Sequence, residues 1–273
     1  MLSYQHAYHA GNFADVIKHL TLSHILEYMC QKEKPMFYLD THAGRGHYDL
    51  QDKHALKTKE AATGIEALWA VRNQLPKAFK HYIEAVSTFN QDGILRYYPG
   101  SPALAMTLLR REDRLFFCER HPREYEHLHR FVKRKPRAHC VEADGFQQIT
   151  ALLPPPERRG LIMIDPSYEI KKEYQHVPKL LQTACHLFQT GVYCVWYPIV
   201  DQRLNNQLRR GFDVIDAKNQ LRAEFHLNPE TPLGMTGCGL QIINPPFVLK
   251  ETLEIIFKHL LKIFNPGRSS YIL

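Results

Sequence analysis

The stretch that most restricts the fold of this chain is Gly160–Glu169, GLIMIDPSYE. Four apolar residues, Leu161 to Ile164, run straight into Asp165-Pro166-Ser167-Tyr168. A short apolar run bounded by glycine and proline predicts a buried strand of a parallel sheet. Open α/β sheets hold ligands just beyond the carboxyl ends of such strands. Asp165 is therefore expected at a strand tip, facing a crevice. Pro166 fixes its own φ and removes a backbone donor, which leaves carbonyls free to accept. A carboxylate, a free carbonyl and an aromatic ring thus fall within four residues. That set suits a planar base with an exocyclic amine: Asp165 and the Pro166 carbonyl each accept one N–H, and Tyr168 stacks on the ring. The same residues also suit a plain Asp-Pro turn with Tyr168 in the core, and the tetrapeptide alone does not decide.

The other predicted strands narrow the choice. Met36–Asp40 is a strand, and the turn Thr41-His42-Ala43-Gly44-Arg45-Gly46 follows it. A strand, an acid and Gly-x-Gly form a nucleotide-binding first loop, in which Gly44 lets the backbone approach a ligand. Position 49 is Asp, so the third glycine of a dinucleotide fingerprint is missing. This disfavours a nicotinamide cofactor and fits a ligand with an amino-acid tail and no phosphate, such as S-adenosylmethionine. Arg114–Glu119 is a second strand, and Glu119 at its tip is placed to hold ribose hydroxyls. Ala138–Glu142 is a third. Beyond it, Asp144 is positioned to accept from an adenine amine, with Phe146 beside the ring. Gly191–Tyr197, Gln220–Asn228 and Gly239–Asn244 complete seven strands. Asn244-Pro245-Pro246-Phe247 is a second amine-binding pattern. The last strand of this architecture is commonly antiparallel, so the pattern reads as a turn on the wrong edge.

Helices are predicted from Asn12, a variant capping box with Asp15, to about Lys34. Others cover Ala103–Arg111, Tyr125–Val132, Tyr174–Leu187 and a helix beginning at Asn205–Arg210. Lys18 and His19 lie in the early turns of the first helix, where a solvated face is the usual fate. Between the first two strands, Ala61–Val71 and Pro76–Asn90 read as amphipathic helices. The intervening chain is too long for an ordinary crossover. It predicts a helical insertion over residues 50–95 within a single domain of residues 1–273. The insertion carries His54, Lys57, Lys59, Arg72, Lys77, Lys80 and His81, either as a basic arm for nucleic acid or as a solvated face.

The net charge of +7 favours a polyanionic partner, most simply nucleic acid. The six cysteines form no C-x-x-C pair, which disfavours a zinc site or a disulfide framework; no metal is expected. No apolar run approaches the roughly 20 residues that span a bilayer, and MLSYQHAYHAGN does not resemble a signal peptide. A soluble cytoplasmic protein without a membrane partner is expected.

Strand tips bearing acid-Gly-x-Gly, acid, Asp and Asp-Pro-x-Tyr, in that order, resemble a class I S-adenosylmethionine-dependent methyltransferase. The fold expected is a Rossmann-like α/β domain: a seven-stranded, mostly parallel sheet with helices on both faces. The Asp-Pro-Ser-Tyr stretch is similar to the (Asp/Asn)-Pro-Pro-(Tyr/Phe) motif of amino methyltransferases, with Ser167 in place of the second proline. Nearly the whole chain resembles the RlmJ family of bacterial 23S ribosomal RNA adenine-N6 methyltransferases. The stretches LSYQHAYHAGNFADVIKH, YLDTHAGRG, LRYYPGSP, EADGFQQ, RGLIMIDPSYE and IINPP carry the likeness. The resemblance implies methylation at N6 of an adenine in 23S ribosomal RNA. It also implies cofactor contacts from His19, His42, Ser101, Glu119, Asp144, Gly145 and Asp165, and a substrate RNA contact from Tyr4.

Lys18 is a candidate phosphate or base contact. Ser167 gives a less rigid turn than proline and is able to hydrogen-bond locally. The chain is expected to act as a monomer with no obligate protein partner. Competing readings are a DNA adenine or protein glutamine acceptor on the same fold, and a non-catalytic RNA-binding ribosome-assembly factor.

Overall fold

A computed structural model describes residues 5–228, 234–265 and 267–273. In chain order the helices and strands are α1 (Phe13–Cys30), β1 (Phe37–Asp40), β2 (His47–Asp49), α2 (Lys53–Thr58), α3 (Ile65–Ala70), α4 (Lys80–Ser87), β3 (Tyr97–Pro99), α5 (Ser101–Leu108), β4 (Arg114–Glu119) and α6 (Pro122–Val132). They continue with β5 (Ala138–Glu142), α7 (Gly145–Leu152), β6 (Gly160–Ile164), α8 (Glu173–Leu187), β7 (Val192–Ile199), α9 (Gln202–Asp213), β8 (Gln220–His226), β9 (Gly237–Ile243), α10 (Leu249–Ile263) and β10 (Ser270–Ile272).

The main sheet has the order β10-β8-β9-β7-β6-β1-β4-β5. β5, β4, β1, β6 and β7 are parallel. β9 runs antiparallel to both β7 and β8, and β10 antiparallel to β8. The expected seven strands are thus joined by an eighth, and β2 and β3 form a separate antiparallel ribbon. These extra strands have three residues each, too short for an alternation to register.

Each parallel strand divides its side chains between two cores. Leu161 and Met163 enter one apolar cluster with α1, α5, α6, α10 and the insertion. Ile162 and Ile164 enter another with α7, α8 and α9. Burial on both faces is why these strands read as unbroken apolar runs. Ile65, Leu68, Trp69, Phe79 and Tyr82 of the insertion belong to the first cluster.

α1 starts as the capping pattern requires. The Asn12 side chain accepts from Asp15 N at 2.9 Å, while the Asp15 carboxylate reaches back to Gly11 N at 3.0 Å. The helix stops at Cys30, short of Lys34. Pro35 disfavours helical backbone at the residue before it, and the freed carbonyls are taken by arginines. Arg110 donates to Lys32 O and Arg159 to Lys34 O, each at 2.7 Å. The insertion is more broken than its pattern. Glu60–Thr63 and Lys77–Phe79 are 3₁₀ turns, the α-helical parts of the two expected helices shrink to Ile65–Ala70 and Lys80–Ser87, and Lys53–Thr58 forms a further short α-helix. Gly64 packs its Cα against the Gly11 carbonyl, where a Cβ would stand 2.1 Å from the oxygen.

A buried ion pair ties β8 to α9. Glu224 accepts from Arg209 Nε and Nη2 and from the Tyr197 hydroxyl, all at 2.7 Å. Burial pushes this carboxyl up, but His226, Tyr197 and Arg209 overcome it and hold it at about 2. Because the folded value lies below the ordinary one, the stability it contributes is full above about pH 4.5 and is lost as pH falls toward 2. Glu224→Ala is expected to cost roughly 3–5 kcal/mol at neutral pH by stranding the guanidinium, as measured by chemical denaturation.

Candidate active site

The switch in strand order falls between β1 and β6, and open sheets bind ligands there. Asp40 of β1 lies opposite Met163 of β6, and Thr41 N bonds Met163 O at 3.1 Å. The Gly-x-Gly loop and the Asp165 turn are therefore adjacent, one beyond each strand. Asp40 is fully buried. It accepts from the Tyr38 hydroxyl at 3.1 Å, from His42 N at 3.3 Å, and from Ser101 at the start of α5. Burial and the nearby Asp165 charge push its carboxyl up to about 6, against these hydrogen bonds.

The loop after β1 is clamped along its length. Gly44, at φ +60°, donates its N–H to Glu119 Oε2 at 2.8 Å; a Cβ there would stand 2.3 Å from the Tyr48 hydroxyl. Arg45 makes a bidentate pair with Glu124 in the first turn of α6, at 2.8 and 2.6 Å. Gly46 O accepts from Gly100 N at 2.8 Å. Glu119 also accepts from His121 N at 2.6 Å. Burial pushes its carboxyl up to about 7 despite both N–H donors.

Asp144 caps α7 by accepting from Phe146 N at 3.0 Å, with Arg120 Nη1 at 3.3 Å from its other oxygen. Gly145 lies against the first loop: a Cβ would fall 1.9 Å from the Thr41 carbonyl. Its small size keeps the β1 and β5 loops in contact. Phe146 stands edge-on to His42 and to His176, at 4.9 and 5.0 Å between centroids. Burial lowers His42 to about 4, so its ring is neutral at physiological pH.

Lys18 and His19 are not on a solvated face; both are buried. Lys18 Nζ sits 2.6 Å from Asp165 Oδ2 and 2.8 Å from Asp15 Oδ1, with the Trp196 ring centroid at 5.8 Å. Burial opposes this charge, but Asp15 and Asp165 raise the ammonium above its ordinary value. His6 Nε2 lies 2.7 Å from Asp15 Oδ2. A line of charge thus runs from His6 through Asp15 and Lys18 to Asp165. The sequence reading overlooked Asp15 in this role, because it registered the residue only as part of a cap.

No hydrogen bond from the described residues ends on the Pro166 carbonyl. Ser167 Oγ accepts a long bond from Glu169 N, 3.5 Å. Tyr168 has φ +55° and is 6% exposed, its ring 4.8 Å from Tyr174 and 6.4 Å from Trp196. It is therefore largely core, and leaves a base only a small part of its surface. Asn244 ends the antiparallel β9 at φ +53° and donates to Gln189 O and Gly191 O, both at 2.8 Å, as a structural turn does. Tyr4 lies outside the described residues.

The basic residues of the insertion point to different neighbours. Lys57 and His54 pack on Tyr8, at 5.7 and 4.7 Å. His81 pairs with Glu27 of α1 at 2.8 Å. Glu60 receives His9 at 2.8 Å and Asn12 at 3.0 Å, which fastens the N-terminal segment to the insertion.

These groups fit a nucleoside that carries an amino-acid tail. Glu119 offers an acceptor suited to vicinal hydroxyls, neutral His42 and Phe146 offer an aromatic wall, and the buried His19 Nε2 has no partner among the described residues. Ionised Glu119 gives two hydroxyl donors charge-assisted acceptors, which the protonated acid does not. Affinity for S-adenosylhomocysteine is therefore expected to fall up to tenfold per pH unit below about pH 7, and to lose most of this dependence in Glu119→Gln, measured by calorimetric titration. The same raised value means that the stability this group gives the ligand-free protein is full below about pH 4.5 and lost as pH rises through 7.

A family model described as ribosomal RNA large subunit methyltransferase D, RlmJ, matches residues 33–272. The chain is 44% identical to ribosomal RNA large subunit methyltransferase J of Escherichia coli, over 99% of this chain and 97% of that protein. It is 40% identical to the protein of the same name from Haemophilus influenzae, over 97% and 95%. A crystal structure of protein LPL1258 from Legionella pneumophila superposes with a TM-score of 0.92 at 48% identity, covering 97% of each chain.

Proposed function

The chain belongs to the RlmJ family of ribosomal RNA large-subunit methyltransferases, and from that premise we propose that Asp165 and Pro166 present the N6 amine of a 23S ribosomal RNA adenine for methylation. The enzyme uses S-adenosylmethionine, which when bound supplies a methyl group on a positively charged sulfur. The observation that carries the assignment is the Asp165-Pro166 turn beyond β6, one strand from the Gly44 loop and Glu119.

An adenine amine is a poor nucleophile, because its lone pair is delocalised into the ring. The Asp165 carboxylate and the Pro166 carbonyl each accept one N6 hydrogen, which favours a pyramidal nitrogen with an available lone pair. Positive charge then develops on N6 beside the carboxylate, which stabilises it in the transition state. Lys18 orients Asp165 and moderates its charge, so the carboxylate works as an electrostatic partner more than as a strong base. The methylated amine loses its proton readily to Asp165 or to water. Tyr168 meets the adenine with the small surface it leaves exposed. Extrusion of the base from RNA costs a few kcal/mol, which contacts with the RNA offset. Glu119 holds the ribose of the cofactor, Asp144 its adenine amine, and Gly44, His42, Ser101 and Gly145 shape the walls.

Tyr4 contacts the RNA in this reading. The protein acts as a monomer that needs no partner protein in this reading, with residues 50–95 as an inserted subdomain of a single domain. Among the described residues no helix is long and apolar enough to cross a membrane, and the substrate places the reaction in the cytoplasm.

The test is methyl transfer from labelled S-adenosylmethionine to unmodified 23S ribosomal RNA, with a ribosomal DNA duplex and a protein extract alongside. Label recovered as N6-methyladenosine in the RNA alone is expected. Label in DNA, in protein or in another nucleoside, or RNA binding without transfer, would overturn the proposal.

A further inference from the structure

His19, Tyr98 and Tyr82 form a buried hydrogen-bond chain that runs from α1 through β3 into the insertion. His19 Nδ1 lies 2.7 Å from the Tyr98 hydroxyl, and that hydroxyl lies 3.1 Å from the Tyr82 hydroxyl. The three side chains belong to α1, β3 and α4, and each is about 1% exposed or less. Tyr82 is surrounded by core residues, and no further partner of its hydroxyl is found among the described residues. His19 Nε2 is buried and has no hydrogen-bond partner among the described residues.

The direction of the protons along this chain follows from counting acceptors. Burial, reinforced by the adjacent Lys18 charge, holds the His19 imidazole well below its ordinary value, so the ring is neutral and carries one proton. If that proton were on Nδ1, it would be donated to Tyr98 O. One tyrosine hydroxyl proton would then have no acceptor: that of Tyr82 if Tyr98 donates to it, or that of Tyr98 if it accepts twice. A buried donor without an acceptor is costly. If the proton is on Nε2, Tyr82 donates to Tyr98, Tyr98 donates to Nδ1, and both hydroxyl protons are used. The single unspent donor is then His19 Nε2–H, free to meet a ligand.

We propose that Tyr98 and Tyr82 are positioning residues that fix His19 as the Nε2–H tautomer, so that it donates to the carboxylate of the cofactor's amino-acid tail and does not accept from the tail's ammonium. This rests on the reading of His19 as a cofactor contact. The insertion thereby has a part in cofactor binding through Tyr82, besides any contact with RNA.

The experiment is long-range proton–nitrogen NMR on the full-length protein labelled with ¹⁵N-histidine, the His19 signals being assigned by their loss in His19→Gln. A pyridine-like Nδ1 and a pyrrole-like Nε2 are expected, with the Nε2–H signal moving on addition of S-adenosylhomocysteine. Tyr98→Phe should lose this single tautomer and bind S-adenosylhomocysteine about tenfold more weakly. Its kcat at saturating cofactor should stay within a few-fold of the parent. Tyr82→Phe should show a smaller loss of affinity. A protonated Nδ1 in the parent protein would overturn the proposal while leaving His19 as a contact. His19 signals indifferent to the ligand, with unchanged affinity in His19→Gln, would overturn the reading beneath it. The tautomer is read in the parent protein, so the test survives even if a tyrosine variant fails to fold.

Discussion

Asp165→Ala is expected to bind S-adenosylhomocysteine with most of the parent affinity and to lose methyl transfer by a factor of about 10³. Removing a single preorganised electrostatic partner of a developing charge typically costs 10²–10³ in turnover, and here the same group also accepts a hydrogen bond from the amine it activates. The cavity left is small, and Lys18 keeps its second partner, Asp15, at 2.8 Å, so the fold should survive. Asp165→Asn retains an acceptor oxygen without the charge and should fall between the two. Single-turnover methyl transfer with saturating RNA, beside calorimetric titration of the cofactor product, separates the chemical step from binding. Full turnover in Asp165→Ala would remove Asp165 from the catalytic role.

Lys18→Met is expected to damage both stability and activity, for a reason of charge. The ammonium sits between two carboxylates, with its side chain 5% exposed beside Asp15 at 2% and Asp165 at 14%. Taking away the shared cation leaves the nearly dry Asp15 with His6 and the Gly11 N–H beside it. Breaking such a buried pair by removing one member costs roughly 3–5 kcal/mol. At present the Asp15 carboxyl is held well below the usual carboxylate range: burial works against the charge, and His6 and Lys18 prevail. That stability is present above the ordinary carboxylate value and is lost as pH falls below it. In Lys18→Met the loss should begin at a higher pH. Urea denaturation of both proteins between pH 5 and pH 8 measures the difference, and a variant as stable as the parent at pH 8 would mean the ion pairs contribute nothing net.

Much of the active-site frame was legible before the fold was seen. Arg114–Glu119 and Ala138–Glu142 have the predicted bounds, because a short β-rich run between breakers has few alternatives. Once the strands are placed, sheet topology carries Gly44, Glu119, Asp144 and Asp165 to one edge without reference to their side chains. Lys18 escaped this logic. Polar residues in a helix pattern read as a solvated face, and what covers α1 lies far along the chain: α4, α5, Asp165, β9 and α10. The largely buried Tyr168 escaped it too, since spacing fixes where a side chain starts and not how tightly its neighbours close over it. The His19–Tyr98–Tyr82 chain joins three elements 79 and 16 residues apart, a pairing that no local pattern encodes.

The near-complete burial of α1 has a consequence for synthesis. Fourteen of its eighteen residues are covered in the folded protein, and Lys18 awaits a carboxylate 147 residues downstream. The helix leaves the ribosome before the segments that pack on it: α4 and α5 follow first, and β9 and α10 only much later. A nascent chain therefore carries an apolar helix that is only partly covered until β9 and α10 are made, a state prone to misassociation. Lys18 gains its second carboxylate only once Asp165 has been made, whereas Tyr98 and Tyr82, the partners that hold His19, come earlier.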